Sequence, residues 1–362
     1  MRRLIAALIV CALPALAAYP NGYNYRRAIT IDYTKLTGTV TDFPVAVAGT
    51  YSYLATTANG GLVTNGSGFD IVFTAADGVT SLSCEQESYS ATTGAVAYWV
   101  KVPSVSHTVN TTIYMYYGNS GISTSQCTAS AVWASNWRGV WHLPNGSTLS
   151  AADSTSNANN GTFSSPTATT GQIDGAAAYT AVGGITVTNS TSINISGTNV
   201  LSLSAWVKRA ASGTTGIIIN KEQAGTGGYS FSVGVAPATT NQIKLTKYGV
   251  VDITIGTFPA DTNWHHLVAV FSGTGVVVYI DGVSNATSGN TQNFNATTNA
   301  LHLGGASTSV WNGSIDEARV SSTALSADWV KAEYNNQSSP STFYSVGSQE
   351  ISALRRPPVV IQ

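Results

Sequence analysis

Asp153-Ser154-Thr155-Ser156-Asn157-Ala158-Asn159-Asn160-Gly161 is an oxygen-rich run. Carboxylates, amides and carbonyls of this kind are what Ca²⁺ collects, six to eight oxygens at ~2.3–2.6 Å. Asp153, Asn157 and Asn160 are the candidate ligands, and Asp316 adds a carboxylate if its strand end meets this loop. The fixed glycine and final glutamate of an EF-hand are absent. The alternative is a polar loop in which Asp153 caps local amides.

Sugar binding needs a flat aromatic ring beside amide and hydroxyl partners. Tyr229, after Gly225-Thr226-Gly227-Gly228, and Trp311, before Asn312-Gly313, stand where loops are expected, with Asn220 and Tyr179 as weaker candidates. Glycoside hydrolysis needs two opposed carboxylates. Asp316 and Glu317 are adjacent, so regular strand alternation sends them to opposite faces. Glu85 and Glu87 share a face but fall in another unit of the chain. The same alternation separates His265 from His266, and neither has a partner at metal-ligand spacing. No Gly-x-Ser-x-Gly elbow sits between a strand and a helix. No catalytic residue is therefore assigned, and the chain reads as a non-enzyme.

These residues have to be positioned by strands. Only 9% of the 362 residues are charged, against roughly 25% in an average globular protein. Thr suits half-exposed strands, and Asn and Gly suit turns, so the polar surface belongs to a loop-rich β protein. Residues 1–18 read as a secretory leader: Arg2 and Arg3, the apolar run Leu4–Leu13, then Ala15-Leu16-Ala17. A secreted or cell-surface location follows, with no later segment long and apolar enough to span a membrane. The formal charge of −1 offers no basic field for nucleic acid. Cys11 leaves with the leader, and Cys84 and Cys127 remain. In an exported chain they are expected to form a disulfide, with two buried thiols as the alternative.

Residues 19–136 form a first β-rich unit and 137–349 a second, followed by a flexible tail at 350–362. Trp133, Trp137 and Trp141 crowd the junction, where the units are expected to pack together. A sugar cleft there is the alternative. In LSLSAWVK, Leu201, Leu203, Ala205 and Val207 share one face. WHHLVAVFSGTGVVVYIDG (264–282) reads as two strands, with Asp281-Gly282 supplying a further hairpin turn. Ser326 is placed to cap a short helix running to about Tyr334, and Ser341–Gln349 to return as a last strand.

The pieces YRRAITID, FPVAV, FDIVFT, EQESYSATTGAVAYWVKVPS and TTIYMYYGN together resemble domain-of-unknown-function family 2341. GVWHL, DSTSNANNG, LSLSAWVK, the 264–282 run, LHLGG and NGSIDEARVSSTALSADWV resemble the laminin-G-like, concanavalin A-like lectin/glucanase domains. The second resemblance implies a jelly roll. Asn160 stands where that family's loop carries a second acid, which weakens a cation site. The expectation is an all-β protein of two β-sandwich domains, the C-terminal one concanavalin A-like. Its expected role is non-catalytic binding of a glycan or cell-surface polysaccharide, with structural Ca²⁺ as the one cofactor considered. A structural or adhesive role with a surface-protein partner is the alternative, and a laminarinase-type hydrolase comes third.

Overall fold

The computed structural model describes residues 22–133, 136–144, 146–180, 182–223, 225–306 and 308–352. The leader at 1–18 and the tail from 353 lie outside the described residues. The first unit supplies strands β1 (Tyr25–Ile31), β2 (Val40–Thr50), β3 (Val72–Thr74), β4 (Cys84–Tyr89), β5 (Ala95–Val105) and β6 (Thr111–Tyr117), then helix α1 (Ala129–Val132). The second begins with β7 (Trp137–Trp141), β8 (Gly161–Phe163), β9 (Thr167–Thr170), β10 (Gly175–Thr180) and β11 (Ile185–Val187). It continues with β12 (Val200–Arg209), β13 (Gly216–Gln223), β14 (Gly227–Val233), β15 (Gln242–Lys247) and β16 (Val251–Thr257). It closes with β17 (Trp264–Ser272), β18 (Val276–Ile280), β19 (Val283–Ser288), β20 (Leu301–Leu303) and β21 (Asn312–Ser321). After it come α2 (Ala327–Ser338), α3 (Pro340–Phe343), β22 (Tyr344–Val346) and β23 (Glu350–Ile351).

The second unit is two stacked antiparallel sheets. One runs β19-β18-β17-β12-β21-β10-β9, with β7 also on β21; the other runs β16-β15-β14-β13-β20-β11-β8. Leu201, Leu203, Ala205 and Val207 of β12 all lie in the core between them, as alternation demands. Asp281 (φ 54°) and Gly282 (φ 71°) join β18 to β19 with positive φ at both central positions, the twist-matching hairpin geometry.

The first unit pairs a sheet of β22-β1-β6-β3, with β23 also on β1, against a sheet of β2-β5-β4. Its core holds Ile29, Val45, Phe73, Val100 and Ile113. Cys84 and Cys127 are joined across it as a disulfide, with Cα atoms 4.7 Å apart.

The end of the chain corrects the extent of the second unit to 349 and the tail at 350. Val346 pairs with Ile29 and Ile351 with Tyr25, so β22 and β23 are strands of the first sandwich. Arg26 and Glu350 add an ion pair at 2.7 Å. The jelly roll is thus inserted between β6 and β22 of a sandwich made from both ends of the chain. Helix α2 runs four residues beyond the expected Tyr334, and α3 occupies the start of the expected last strand. Ser326 does cap α2, its Oγ accepting from Trp329 N at 3.1 Å. The extra turn has a use. β2 is a sheet edge with unpaired backbone groups, and Asn336 satisfies both of them at Ala46, accepting from N at 2.7 Å and donating to O at 3.1 Å.

Between the sandwiches lies a third apolar cluster, including Trp99, Trp133, Trp137, Val268, Val270, Tyr279 and Val330. Trp133 and Trp137 are 1% and 3% exposed, so they form a domain junction and no sugar cleft. Trp141 belongs to the jelly-roll core, where its Nε1 donates to Asn159 O at 2.9 Å.

Candidate functional site

Two places concentrate polar chemistry: the buried junction and the loop end of the jelly roll. At the junction, β21 breaks strand alternation. Arg319 pairs with Ser204 and Asp316 with Trp206, which leaves two residues of β21 opposite Ala205. Glu317 is the extra residue, at φ 52°, a bulge that re-aims a side chain. Ile315, Ala318 and Val320 therefore face the jelly-roll core, while Asp316, Glu317 and Arg319 all turn to its outer side. Regular alternation put Asp316 and Glu317 on opposite faces; the bulge overturns that.

The first sandwich brings Glu85 and Glu87 to meet them. His142, just after β7, bonds Glu317 Oε1 through Nδ1 at 2.8 Å and Glu85 Oε2 through Nε2 at 3.2 Å. Burial by itself would lower the His142 pKa, but the charges of Glu317, Glu85 and Glu87 hold it well above 6.5. It is an imidazolium donating to one carboxylate from each sandwich. Arg319 donates to Glu317 at 2.5 Å and to Glu333 of α2, with its guanidinium 4.6 Å over Trp99 and 4.7 Å over Trp133. Glu85 also accepts from Trp133 Nε1 at 2.6 Å and Ser154 Oγ at 2.5 Å. Burial, then the charge of Glu317, drives Glu87 well above 4.5, and the same pair of causes raises Asp316 well above 3.8. Burial thus disfavours the charged forms of Glu87 and Asp316, while His142 and Arg319 bring positive charge against Glu85, Glu317 and Glu333. Glu87, His142 and Glu317 also have the donor types of a metal site, with one ligand atom from each within 4.8 Å of the others. Both ring nitrogens of His142 are, however, engaged by carboxylates, and Glu317 is already shared with Arg319.

The loop end is different. Asp153 organises the oxygen-rich run by accepting from Val140 N (3.0 Å), Thr155 N (3.0 Å), Thr155 Oγ1 (2.8 Å) and Asn159 N (2.8 Å). Asn160 Oδ1 accepts from Asp153 N at 2.9 Å. Asp316 does not join them; its Oδ2 accepts from the Gln172 and Ile173 amides at 2.7 and 3.0 Å. Both carboxylate oxygens of Asp153 are spent on local donors and the fourth ligand is elsewhere, so the Asp153, Asn157, Asn160, Asp316 set does not fit Ca²⁺. What the loop positions is Asn157, whose Nδ2 donates to Trp137 O at 3.0 Å and Thr155 Oγ1 at 3.0 Å.

Asn157 lines a cleft of about 470 Å³ with Arg138, Thr191, Ser192, Asn194 and Ser196, closed by Thr198, Val200 and Ser322. Its walls are held from behind: Ser192 Oγ accepts from Asn159 Nδ2 at 2.8 Å, and Asn194 Oδ1 from Thr297 N at 3.1 Å. None of the junction carboxylates lines it.

The aromatic candidates are corrected by burial. Trp311 is 0% exposed, its Nε1 donating to Lys208 O at 3.2 Å, and Tyr229 is 1% exposed, its hydroxyl donating to Ile193 O at 3.1 Å. Both are core side chains, and Tyr179 joins them there. Asn220 is buried opposite Ser230 and His302 and is no surface contact. Sequence reasoning passed over Arg138 and the segment 191–198. The available signal was a cation next to Trp137 in a chain with few charges.

Residues 180–331 match the family model of the concanavalin A-like lectin/glucanases superfamily, and residues 67–134 match the domain of unknown function DUF2341. No curated protein matches the chain significantly. Among solved structures, domain 4 of AbnA, an extracellular GH43 arabinanase from Geobacillus stearothermophilus in complex with arabinotriose, aligns at 21% identity and TM-score 0.44, over 54% of this chain and 97% of that one. The binding domain of Paraclostridial Mosquitocidal Protein 1 aligns at 15% identity and TM-score 0.45, over 55% of this chain and 52% of its own. The Botulinum neurotoxin serotype G binding domain aligns at 15% identity and TM-score 0.41, over 55% and 50%. The chain spans about half the length of these two toxin structures.

Proposed function

We propose that the protein is an exported, non-catalytic carbohydrate-binding protein, and that its jelly roll holds the glycan in the cleft between the 153–161 loop and the 191–198 segment. The observation that carries this reading is the cleft itself: about 470 Å³, with amide or hydroxyl side chains at seven of its ten lining residues and Arg138, Ile195 and Val200 at the others. Sugars are recognised by hydrogen bonds to such groups, and walls fixed in advance reduce the ordering cost of binding. The match of residues 180–331 to a lectin/glucanase superfamily supports it. A non-catalytic role is supported by the placement of the paired acids: Glu85, Glu87, Asp316 and Glu317 are buried at the junction and do not line the cleft. Export rests on the basic and apolar pattern of residues 1–18.

The test is a glycan array probed with the full chain and with Ser196→Trp, which places an indole in the cleft from an exposed position. Binding that the substitution removes supports the reading. Binding that survives it moves the site elsewhere, and release of reducing sugar from a bound polysaccharide revives the hydrolase.

A further inference from the structure

The charge in that cleft points to a narrower class of ligand. Among the described residues are five arginines, and four of them donate to a protein acceptor. Arg26 pairs with Glu350, Arg27 bonds Gly347 O, Arg209 bonds Asn241 Oδ1, and Arg319 pairs with Glu317 and Glu333. Arg138 makes no ion pair and no side-chain hydrogen bond among the described residues, and its Nε is buried without a partner. Its half-buried side chain lines the cleft, where no acid stands with it. A second hollow, of about 330 Å³ on the outer face of the other sheet, shows the contrast. There Lys244 Nζ lies 3.2 Å from Asp252 Oδ2, so cation and acid neutralise each other.

The two Nη groups of Arg138 are neither bonded to the protein nor among its buried polar atoms, so they remain open to an acceptor supplied from the cleft. The planar guanidinium fork matches a carboxylate or sulfate, which it binds through two parallel hydrogen bonds. The hydroxyls and amides around it suit a sugar ring. Resting on the glycan reading of this cleft, we infer that the ligand is an acidic saccharide, a sugar bearing a carboxylate or a sulfate ester, with Arg138 as its anion anchor. The whole-protein charge of −1 gives no general attraction for anions, so the selectivity is local.

The experiment is calorimetric titration of the full chain with oligogalacturonates, their methyl esters, sulfated galactan oligosaccharides and neutral galacto-oligosaccharides. The acidic sugars are expected to bind and to weaken as NaCl is raised, while the methyl esters and neutral sugars bind about ten- to a hundred-fold more weakly, as loss of a charge-assisted hydrogen bond implies. Carboxylated and sulfated arms separate the two sources of negative charge. Arg138→Gln should lose that same factor for acidic sugars only, Arg138→Lys should keep part of it, and unchanged melting temperatures would show that both variants fold. Equal affinity for esters and acids, removed by Ser196→Trp, would overturn the acidic-ligand inference and leave the glycan reading standing. Unchanged acid binding in a folded Arg138→Gln would do the same. No binding by any of these sugars, with none on the array, would overturn both.

Discussion

Replacing His142 by alanine should cost the protein a large part of its stability, and the cost should depend on pH. The imidazolium bridges Glu317 at 2.8 Å and Glu85 at 3.2 Å, with the ring stacked 5.1 Å from that of Trp99. Removing one partner of a buried ion pair leaves the others uncompensated, a loss of about 3–5 kcal/mol. For a cooperative unit of this size that lowers the melting temperature by roughly 6–20 °C. The sign with pH follows from the direction of each shift. His142 sits above its ordinary 6.5, so its contribution is complete below that value and disappears as pH rises through the raised one. Burial raises Glu87 above its ordinary 4.5, so its contribution too is lost as pH rises through the raised value. Thermal unfolding by circular dichroism from pH 6 to pH 9 should show the gap between the native protein and His142→Ala narrowing as pH rises. His142→Ala should start lower and fall less steeply. A variant within 1 °C of the native protein at pH 6, with the same slope to pH 9, would refute the charge bridge.

Breaking the disulfide at Cys84–Cys127, a separation of 43 residues, should cost about 4 kcal/mol by loop entropy, read as a shift of the urea midpoint with and without reductant. Tyr344→Phe removes a hydroxyl that pairs with Ala48 N at 3.0 Å and Ala48 O at 3.1 Å on the β2 edge; a loss of about 1–3 kcal/mol in the same assay is expected, and none would mean that water satisfies the edge equally well. Millimolar Ca²⁺ should leave the melting temperature unchanged, because the Asp153 oxygens already accept four hydrogen bonds, whereas Asp153→Ala should lower stability by about 3 kcal/mol with or without the ion.

Periodicity carried most of the architecture. The alternation of LSLSAWVK became β12 with its predicted face inward, and Asp281-Gly282 became the turn into β19. What alternation could not convey was its own interruption. Nothing in SIDEARV marks Glu317 as a bulge, because its φ of 52° is imposed by pairing with β12 on one side and β7 on the other. Aromatic candidates failed for a related reason: a Trp or Tyr beside glycines reads as a loop tip, yet Gly216 and Gly313 are where neighbouring backbone closes over Trp311. The cleft was half legible. The 153–161 loop stood out by its oxygens, but Arg138 and the 191–198 segment come beside it only through the sheet topology.

The pairing of β1 with β22 also governs how the protein can be made. The first strand to leave the ribosome acquires its outer neighbour only after the inserted jelly roll has been synthesised. Until then the β1 edge and the bare margin of β2 are available to other chains, a hazard for unfinished sheets. Truncation just after the jelly roll would remove α2, β22 and β23 and expose both edges at once, so such products should aggregate although every residue of the insert is intact.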